Sequence, residues 1–171
     1  MTDFRERADD FLAEEKHVAG LPEYRRSQLN DGFDLIWLIG DASGVTRNRV
    51  HIKTYDGSPH AFVVMVQMWW EPSGREIPIF RLMMTPPKEP HPNRPPLPPG
   101  ISEMTVIGPR YYTWNDNRQA FRVGMPGLPY AISLPRNLED FHNAIRYVCG
   151  ECGIGLSAAE LPDFPGKGRL L

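Results

Sequence analysis

A histidine, a proline and an asparagine, followed by a lone serine, give the sequence its clearest chemical possibility. The tripeptide His91-Pro92-Asn93 lies in a proline-rich segment, and Ser102 follows just beyond it. A serine hydroxyl can act as the nucleophile of an acyl transfer, and an amide such as that of Asn93 can donate a hydrogen bond to the oxyanion that develops. These residues therefore predict a candidate catalytic site of Ser102, Asn93 and His91.

The same residues leave a structural interpretation open. A serine needs a base or precise positioning to react at neutral pH. We expect His91 to hydrogen-bond to local backbone rather than act as that base. The sequence does not identify the base, and Asp116, within Asn115-Asp116-Asn117, is one candidate. In the structural interpretation, His91 and Asn93 only pin the proline-rich loop and Ser102 is an ordinary loop serine.

The length and the amino-acid composition favour one globular domain that spans residues 1–171. Hydrophobic residues make up 41% and charged residues 23% of the chain, close to globular averages, while eight of the 18 prolines lie between residues 86 and 99. A formal net charge of -2 offers no electrostatic footprint for nucleic acid or for a membrane surface. The sequence therefore predicts neither of these as a partner.

The start of the chain and its cysteines predict a cytoplasmic protein. The first residues, MTDFRERADDFLAEE, are acidic and amphipathic where a signal peptide is basic and then apolar. No apolar run approaches the ~18 residues of a membrane span. Only Cys149 and Cys152 are present, which is too few for a disulfide framework and fits a reducing compartment.

Helical periodicity predicts an amphipathic first helix over 3–19, and Pro22 favours a second short helix over 22–29. Short runs of β-branched and aromatic residues then predict four antiparallel strands with turn residues between them. We expect the third of them to be central, because it is apolar on both faces. The predicted strands are 33–39, 49–55, 61–70 and 77–84.

The second half of the chain predicts a stiff loop and a closing helix. Proline excludes regular helix and central strand from 85–100. Asn137 is the predicted cap of a helix that ends at Gly150, and 156–171 is a peripheral tail. The predicted fold is thus α+β, a four-stranded antiparallel meander flanked by an N-terminal helix and a C-terminal helix.

This order of elements, with His91-Pro92-Asn93 after the fourth strand, resembles the ubiquitin-conjugating (E2) family. It is most similar to the divergent E2-like proteins of bacterial ubiquitin-like conjugation systems. In that family a catalytic cysteine follows the tripeptide, and here Ser102 stands at the matching position after Gly100-Ile101. A serine cannot form the thioester that the cysteine of the family forms.

The resemblance implies a protein that transfers or presents a ubiquitin-like modifier in a bacterial antiviral defence pathway. Its partners would be the modifier and an E1-like activating enzyme, which in the family docks near the first helix. Ser102 would carry the carboxyl terminus of the modifier as an oxyester, with Asn93 at the oxyanion. The alternative is a catalytically inactive E2-like module that binds or scaffolds the modifier or its activating enzyme.

Two other groups of residues invite a function. Cys149 and Cys152 have the spacing of a zinc or redox pair, but no second pair accompanies them, so we expect no metal. We also expect no cofactor, because no phosphate-binding loop or ordered catalytic triad is present. The aromatic set forms either a protein interface or part of the core. Its members are Trp69, Trp70, Tyr111, Tyr112 and Trp114.

Overall fold

The computed structural model describes residues 3–28, 32–55, 60–84, 89–122, 127–156 and 160–165. Within these residues lie three α-helices and eleven strands. The helices are α1 (Phe4–Ala13), α2 (Trp114–Asn117) and α3 (Phe141–Glu151). The strands are β1 (Lys16–Val18), β2 (Glu23–Arg26), β3 (Phe33–Asp41), β4 (Gly44–Thr54), β5 (Phe62–Trp70), β6 (Arg75–Met83), β7 (His91–Pro92), β8 (Thr105–Val106), β9 (Arg110–Thr113), β10 (Ile132–Ser133) and β11 (Ile154–Gly155).

Nine of these strands form one mixed sheet. Its order is β10-β9-β6-β5-β4-β3-β1-β11, and β2 also pairs with β3. The pair β1–β11 is parallel and the other described pairs are antiparallel. The remaining strands, β7 and β8, pair only with each other, and we call this pair the ribbon.

The predicted four-stranded meander flanked by two helices is therefore wrong. The four predicted strands correspond to β3, β4, β5 and β6, but they lie inside a sheet of nine strands. The additional strands are two to four residues long. Segments this short carry too few alternating residues for periodicity to reveal them.

The N-terminal prediction is wrong in a related way. The helix predicted over 3–19 ends at Ala13, and Lys16–Val18 is a strand. The helix predicted over 22–29 is instead strand Glu23–Arg26, which pairs with β3 along its length. Pairing with a distant strand overrides local propensity, and one sequence window does not contain that partner.

The core lies between one face of the sheet and the helices. Strand β5 is almost entirely buried and lies in the interior of the sheet, as its apolar run predicts. Phe141 of α3 packs edge-on against Phe62 of β5, with 5.2 Å between ring centroids. Phe4 of α1 stacks on Phe121 and meets Trp70 edge-on. We call this side of the sheet the helix face.

Helix α3 begins later than predicted. Its N-cap is Asp140, whose side chain accepts a hydrogen bond from the Asn143 backbone at 3.0 Å. The predicted cap, Asn137, lies in the preceding 3-10 turn Arg136–Leu138. In the described ranges, no helix is both long and apolar enough to cross a membrane.

The opposite side of the sheet carries the ribbon, and we call it the ribbon face. The strand register places His51, Met65, Arg81 and Tyr112 in one row across it. The ring of His91 in the ribbon meets Tyr112 edge-on, with 5.3 Å between centroids. The ribbon therefore lies over β9 and brings the His-Pro-Asn tripeptide onto the sheet.

Candidate functional site

Asn93 follows β7 and is buried, with 1% of its surface exposed. Its side-chain nitrogen donates to the carbonyls of Glu103, at 2.7 Å, and Ala131, at 2.8 Å. Its side-chain oxygen accepts from the Ala131 N–H at 2.9 Å. Both amide protons are therefore engaged by buried backbone, and neither is free to reach an oxyanion.

Asn117, at the end of α2, repeats this arrangement without belonging to any catalytic motif. Its side chain donates to the carbonyls of Thr113, at 2.8 Å, and Tyr130, at 3.0 Å, and accepts from the Tyr130 N–H at 2.6 Å. It is fully buried. Asn93 and Asn117 thus hold the consecutive residues Tyr130 and Ala131, as a neighbouring strand would.

His91 is attached to the same segment. Its Nε2 lies 2.7 Å from the carbonyl oxygen of Pro129. Because a carbonyl only accepts, this bond requires the proton on Nε2. The ring also packs against Tyr112. His91 and Asn93 are therefore brought together, and what they share is the backbone of 129–131.

Ser102 is exposed and stands apart from these bonds. The preceding residue, Ile101, is buried and donates its N–H to the Pro98 carbonyl at 3.1 Å, which closes the turn before the serine. Over the described ranges, no hydrogen bond connects the Ser102 hydroxyl to His91 or Asn93.

Asp116 makes its described side-chain hydrogen bond to Thr113 and not to Ser102. Its carboxylate accepts from the hydroxyl of Thr113, and its N–H donates back to that hydroxyl at 3.1 Å. Thr113 is the N-cap of α2, so this exchange is the ordinary closure of a helix start. The Ser102 hydroxyl is thus accessible, and no described side chain hydrogen-bonds to it.

A pocket of about 400 Å³ lies beside this turn. Residues 96–99, which we call the proline arm, form one wall, and the hydroxyl of Tyr130 donates to the Pro96 carbonyl at 2.9 Å to hold it. The lining residues are Pro96, Leu97, Pro98, Pro99, Asp116, Gln119, Ala120, Arg122 and Tyr130. Its size falls within the range of ligand sites, roughly 300–1,000 Å³.

Two large apolar side chains flank strand β8 and face solvent. Met104 is 51% exposed and Ile107 is 75% exposed. Because they lie on either side of one two-residue strand, Met104 and Ile107 are a candidate contact surface for another protein. Sequence reasoning missed them, because exposure depends on how the ribbon folds over the sheet.

Neither cysteine of the Cys149–Cys152 pair is accessible to solvent, because both are fully buried. Burial raises the pKa of the Cys149 thiol to about 12, and it also raises the pKa of Cys152. Both thiols are protonated at neutral pH, where only the thiolate is a nucleophile or metal ligand. The described residues contain no cluster of three or more metal-ligating side chains.

The aromatic set is divided between core and surface. Trp70, Tyr112 and Trp114 are buried. Trp69 points to the opposite face of β5 from Trp70, and the guanidinium of Arg47 lies 5.1 Å from its ring centroid. Most of the set therefore stabilises the fold and does not form an open ligand wall.

Comparison with known proteins adds no relative. No protein-family model matches the chain, and no curated protein or solved structure matches it at a significant level.

Proposed function

We propose that this protein is a non-catalytic binding module of a bacterial ubiquitin-like conjugation pathway, acting in the cytoplasm. It binds a ubiquitin-like modifier or the E1-like enzyme that activates it. The pathway is inferred from His91-Pro92-Asn93 alone. The single observation that supports a non-catalytic role is that the side-chain nitrogen of the buried Asn93 donates both of its hydrogen bonds to backbone carbonyls.

The energetics support a structural Asn93. Turning its amide toward an oxyanion would leave at least one buried carbonyl unpaired, at a cost of about 1–3 kcal/mol. Asn117 holds the neighbouring residue in the same way, although it does not belong to a catalytic motif. One explanation, clamping of the 129–131 segment, therefore accounts for both asparagines.

A binding role also fits the surface around the turn. The exposed side chains of Met104 and Ile107 lie on the ribbon that Asn93 anchors, because the Asn93 N–H donates to the Met104 carbonyl at 2.9 Å. A rigid support of this kind reduces the entropy that a contact surface loses on binding. We therefore assign the partner contact to the ribbon.

A second candidate function is acyl transfer through Ser102. The observation in its favour is the exposure of the hydroxyl at the end of a rigid proline arm. In that case an activating enzyme would supply the modifier as an activated acyl group. The serine oxygen would attack the acyl carbon, the bond to the leaving group of the enzyme would break, and that group would take the serine proton, which leaves the modifier as an oxyester on Ser102. Because no base is identified beside Ser102, the activating enzyme would have to position the acyl group against the serine hydroxyl.

One experiment separates these functions. The purified chain is mixed with ATP, an adenylating enzyme and a ubiquitin-like protein from the same genome, and then examined by intact mass spectrometry and by size-exclusion chromatography. We expect co-elution without a change in mass, and weaker co-elution for Met104→Asp.

Transfer would instead give a hydroxide-labile adduct that is lost in Ser102→Ala and kept in Ser43→Ala, a matched exposed serine. Such an adduct would overturn the non-catalytic assignment. Absence of both co-elution and adduct would overturn the pathway itself.

A further inference from the structure

Two arginines lie side by side on the ribbon face. Arg81 of β6 pairs in register with Tyr112, and Arg110 of β9 pairs with Met83. Arg81 and Arg110 are therefore diagonal neighbours on one face, with Cα atoms roughly 7–8 Å apart as is usual for such positions. Like charges at this spacing repel each other unless an anion lies between them.

The guanidinium of Arg110 is buried and nearly unpartnered. Only 4% of the residue is exposed. Its one described hydrogen bond is a long contact of 3.5 Å from its terminal nitrogen to the Val106 carbonyl. Its Nε is buried without a partner. A buried cation in this state is strongly unfavourable, because it has lost water and gained no counter-charge.

Arg81 also has a buried guanidinium nitrogen without a hydrogen-bond partner. This nitrogen is its Nε, and its guanidinium meets only the ring of Tyr112, at 6.0 Å from the centroid. The residue as a whole is half-buried, so part of its side chain meets solvent although its Nε does not. In the part of the chain that the structure describes, neither arginine forms an ion pair.

Two other basic side chains of this face, Arg49 and His51, lie beside carboxylates, whereas Lys53 forms no ion pair among the described residues. Arg49 bonds Glu76 at 3.3 Å, and His51 bonds Asp34 at 2.9 Å. Glu103 reaches Ser133, the cross-strand partner of Arg110, but its two carboxylate oxygens accept from the Ser133 N–H, at 2.9 Å, and hydroxyl, at 2.5 Å. The chain thus leaves the two guanidinium groups without a carboxylate.

We propose that Arg81 and Arg110 bind a doubly charged oxyanion of the phosphate class. Two positive charges without a counter-ion match a dianion, and guanidinium groups bind phosphate oxygens through paired, charge-assisted hydrogen bonds. The oxyanion enters beside Arg81 and bonds the Nε groups that now lack partners. This site lies under the ribbon and does not require the pathway proposed above.

The test is thermal unfolding of the full chain with inorganic phosphate from zero to about 50 mM, at constant ionic strength set with sodium chloride, because a ligand that binds the native state raises Tm saturably. We expect a saturable rise in Tm. Arg81→Gln should weaken the apparent Kd at least about tenfold, as loss of a charge-assisted hydrogen bond does. The matched control, Arg49→Gln, removes an arginine of the same face that already has a partner, and should leave the Kd within about twofold.

Three results would overturn the proposal. One is a Tm in phosphate no higher than in sodium chloride of equal ionic strength. The second is an unchanged phosphate response in Arg81→Gln. The third is an equal saturable response to acetate, which would assign the site to a monocarboxylate. Arg110→Met provides an independent check, because it should raise the Tm of the phosphate-free protein and abolish the phosphate response; a lower Tm would show that the Arg110 guanidinium is already satisfied.

Discussion

Two sets of buried polar side chains lie close to the ribbon, and they differ in how completely they are bonded. Asn93 and Asn117 each make three side-chain hydrogen bonds to backbone. Arg81 and Arg110 each keep a buried nitrogen with no partner. The asparagines are complete without a ligand, whereas the arginines are not.

This contrast separates structural polar groups from candidate binding groups. A buried polar group that is fully bonded needs nothing from outside the chain, and its removal damages the fold. A buried charge that lacks a partner makes the free protein less stable, and its removal relieves a cost. Substitutions in the two sets should therefore change stability in opposite directions.

The largest effect is expected from Asn93→Ala. The substitution leaves the Ala131 N–H and two carbonyls unpaired in the interior, so the free energy of unfolding should fall by about 3 kcal/mol. Urea denaturation measures it. Asn117→Ala is the matched control and should lose a similar amount; a loss below about 0.5 kcal/mol for Asn93 alone would mean that its amide is not a clamp.

Arg110→Met should act in the opposite direction. Methionine preserves much of the side-chain volume and removes the unpaired charge, so the free energy of unfolding in phosphate-free buffer should rise by about 1–2 kcal/mol. The same urea experiment measures it. Arg49→Met, which breaks the pair with Glu76, should not give this gain.

His51 should make a smaller, pH-dependent contribution to the free energy of unfolding. Its Nε2 lies 2.9 Å from an Asp34 carboxylate oxygen and its Nδ1 lies 3.2 Å from the Gln67 side-chain oxygen, and a neutral ring can donate to only one of them. Burial lowers the pKa of His51 below the usual 6.5, more than the neighbouring Asp34 raises it. The unfolded chain therefore binds the proton first. The His51 contribution to stability is complete above pH 6.5 and is lost as the pH falls through the lower pKa of the folded state.

Urea denaturation between pH 5 and 7 measures this loss, with a slope of at most about 1.4 kcal/mol per pH unit from one proton. His51→Gln should flatten that part of the curve. An unchanged slope in the variant would assign the pH dependence to other groups.

The smallest effect is expected from Ser102→Ala. The serine is exposed and supports no described bond, so its free energy of unfolding should stay within about 0.5 kcal/mol of wild type. Binding of the modifier or activating enzyme should also be unchanged. A loss of partner-dependent activity with intact stability would favour the transfer function instead.

The sequence predicted the long strands and missed the short ones. Strand β5 is nine residues of nearly continuous apolar character, which local patterning detects. Strand Glu23–Arg26 forms because β3 lies beside it, and its own residues favoured a helix start. The nine-stranded sheet depends on such distant pairs, so the predicted meander was too small.

The catalytic role predicted for Ser102, Asn93 and His91 stays a prediction. The sequence singled out the tripeptide by its residue types, and the structure places its first two residues in β7. What the sequence did not contain is the partner of each polar group: Asn93 bonds Ala131, 38 positions away. The two arginines were likewise invisible, since only the register of β6 and β9 makes them neighbours.

Hydrogen exchange of the Asn93 side-chain amide, followed by NMR, tests the central claim most directly. Both amide protons lie in buried hydrogen bonds, so they should persist, like those of Asn117, long after the exposed Asn137 amide has exchanged. Exchange of the Asn93 protons as fast as those of Asn137 would show a side chain open to solvent and available for chemistry. It would contradict the structural role on which the non-catalytic assignment depends.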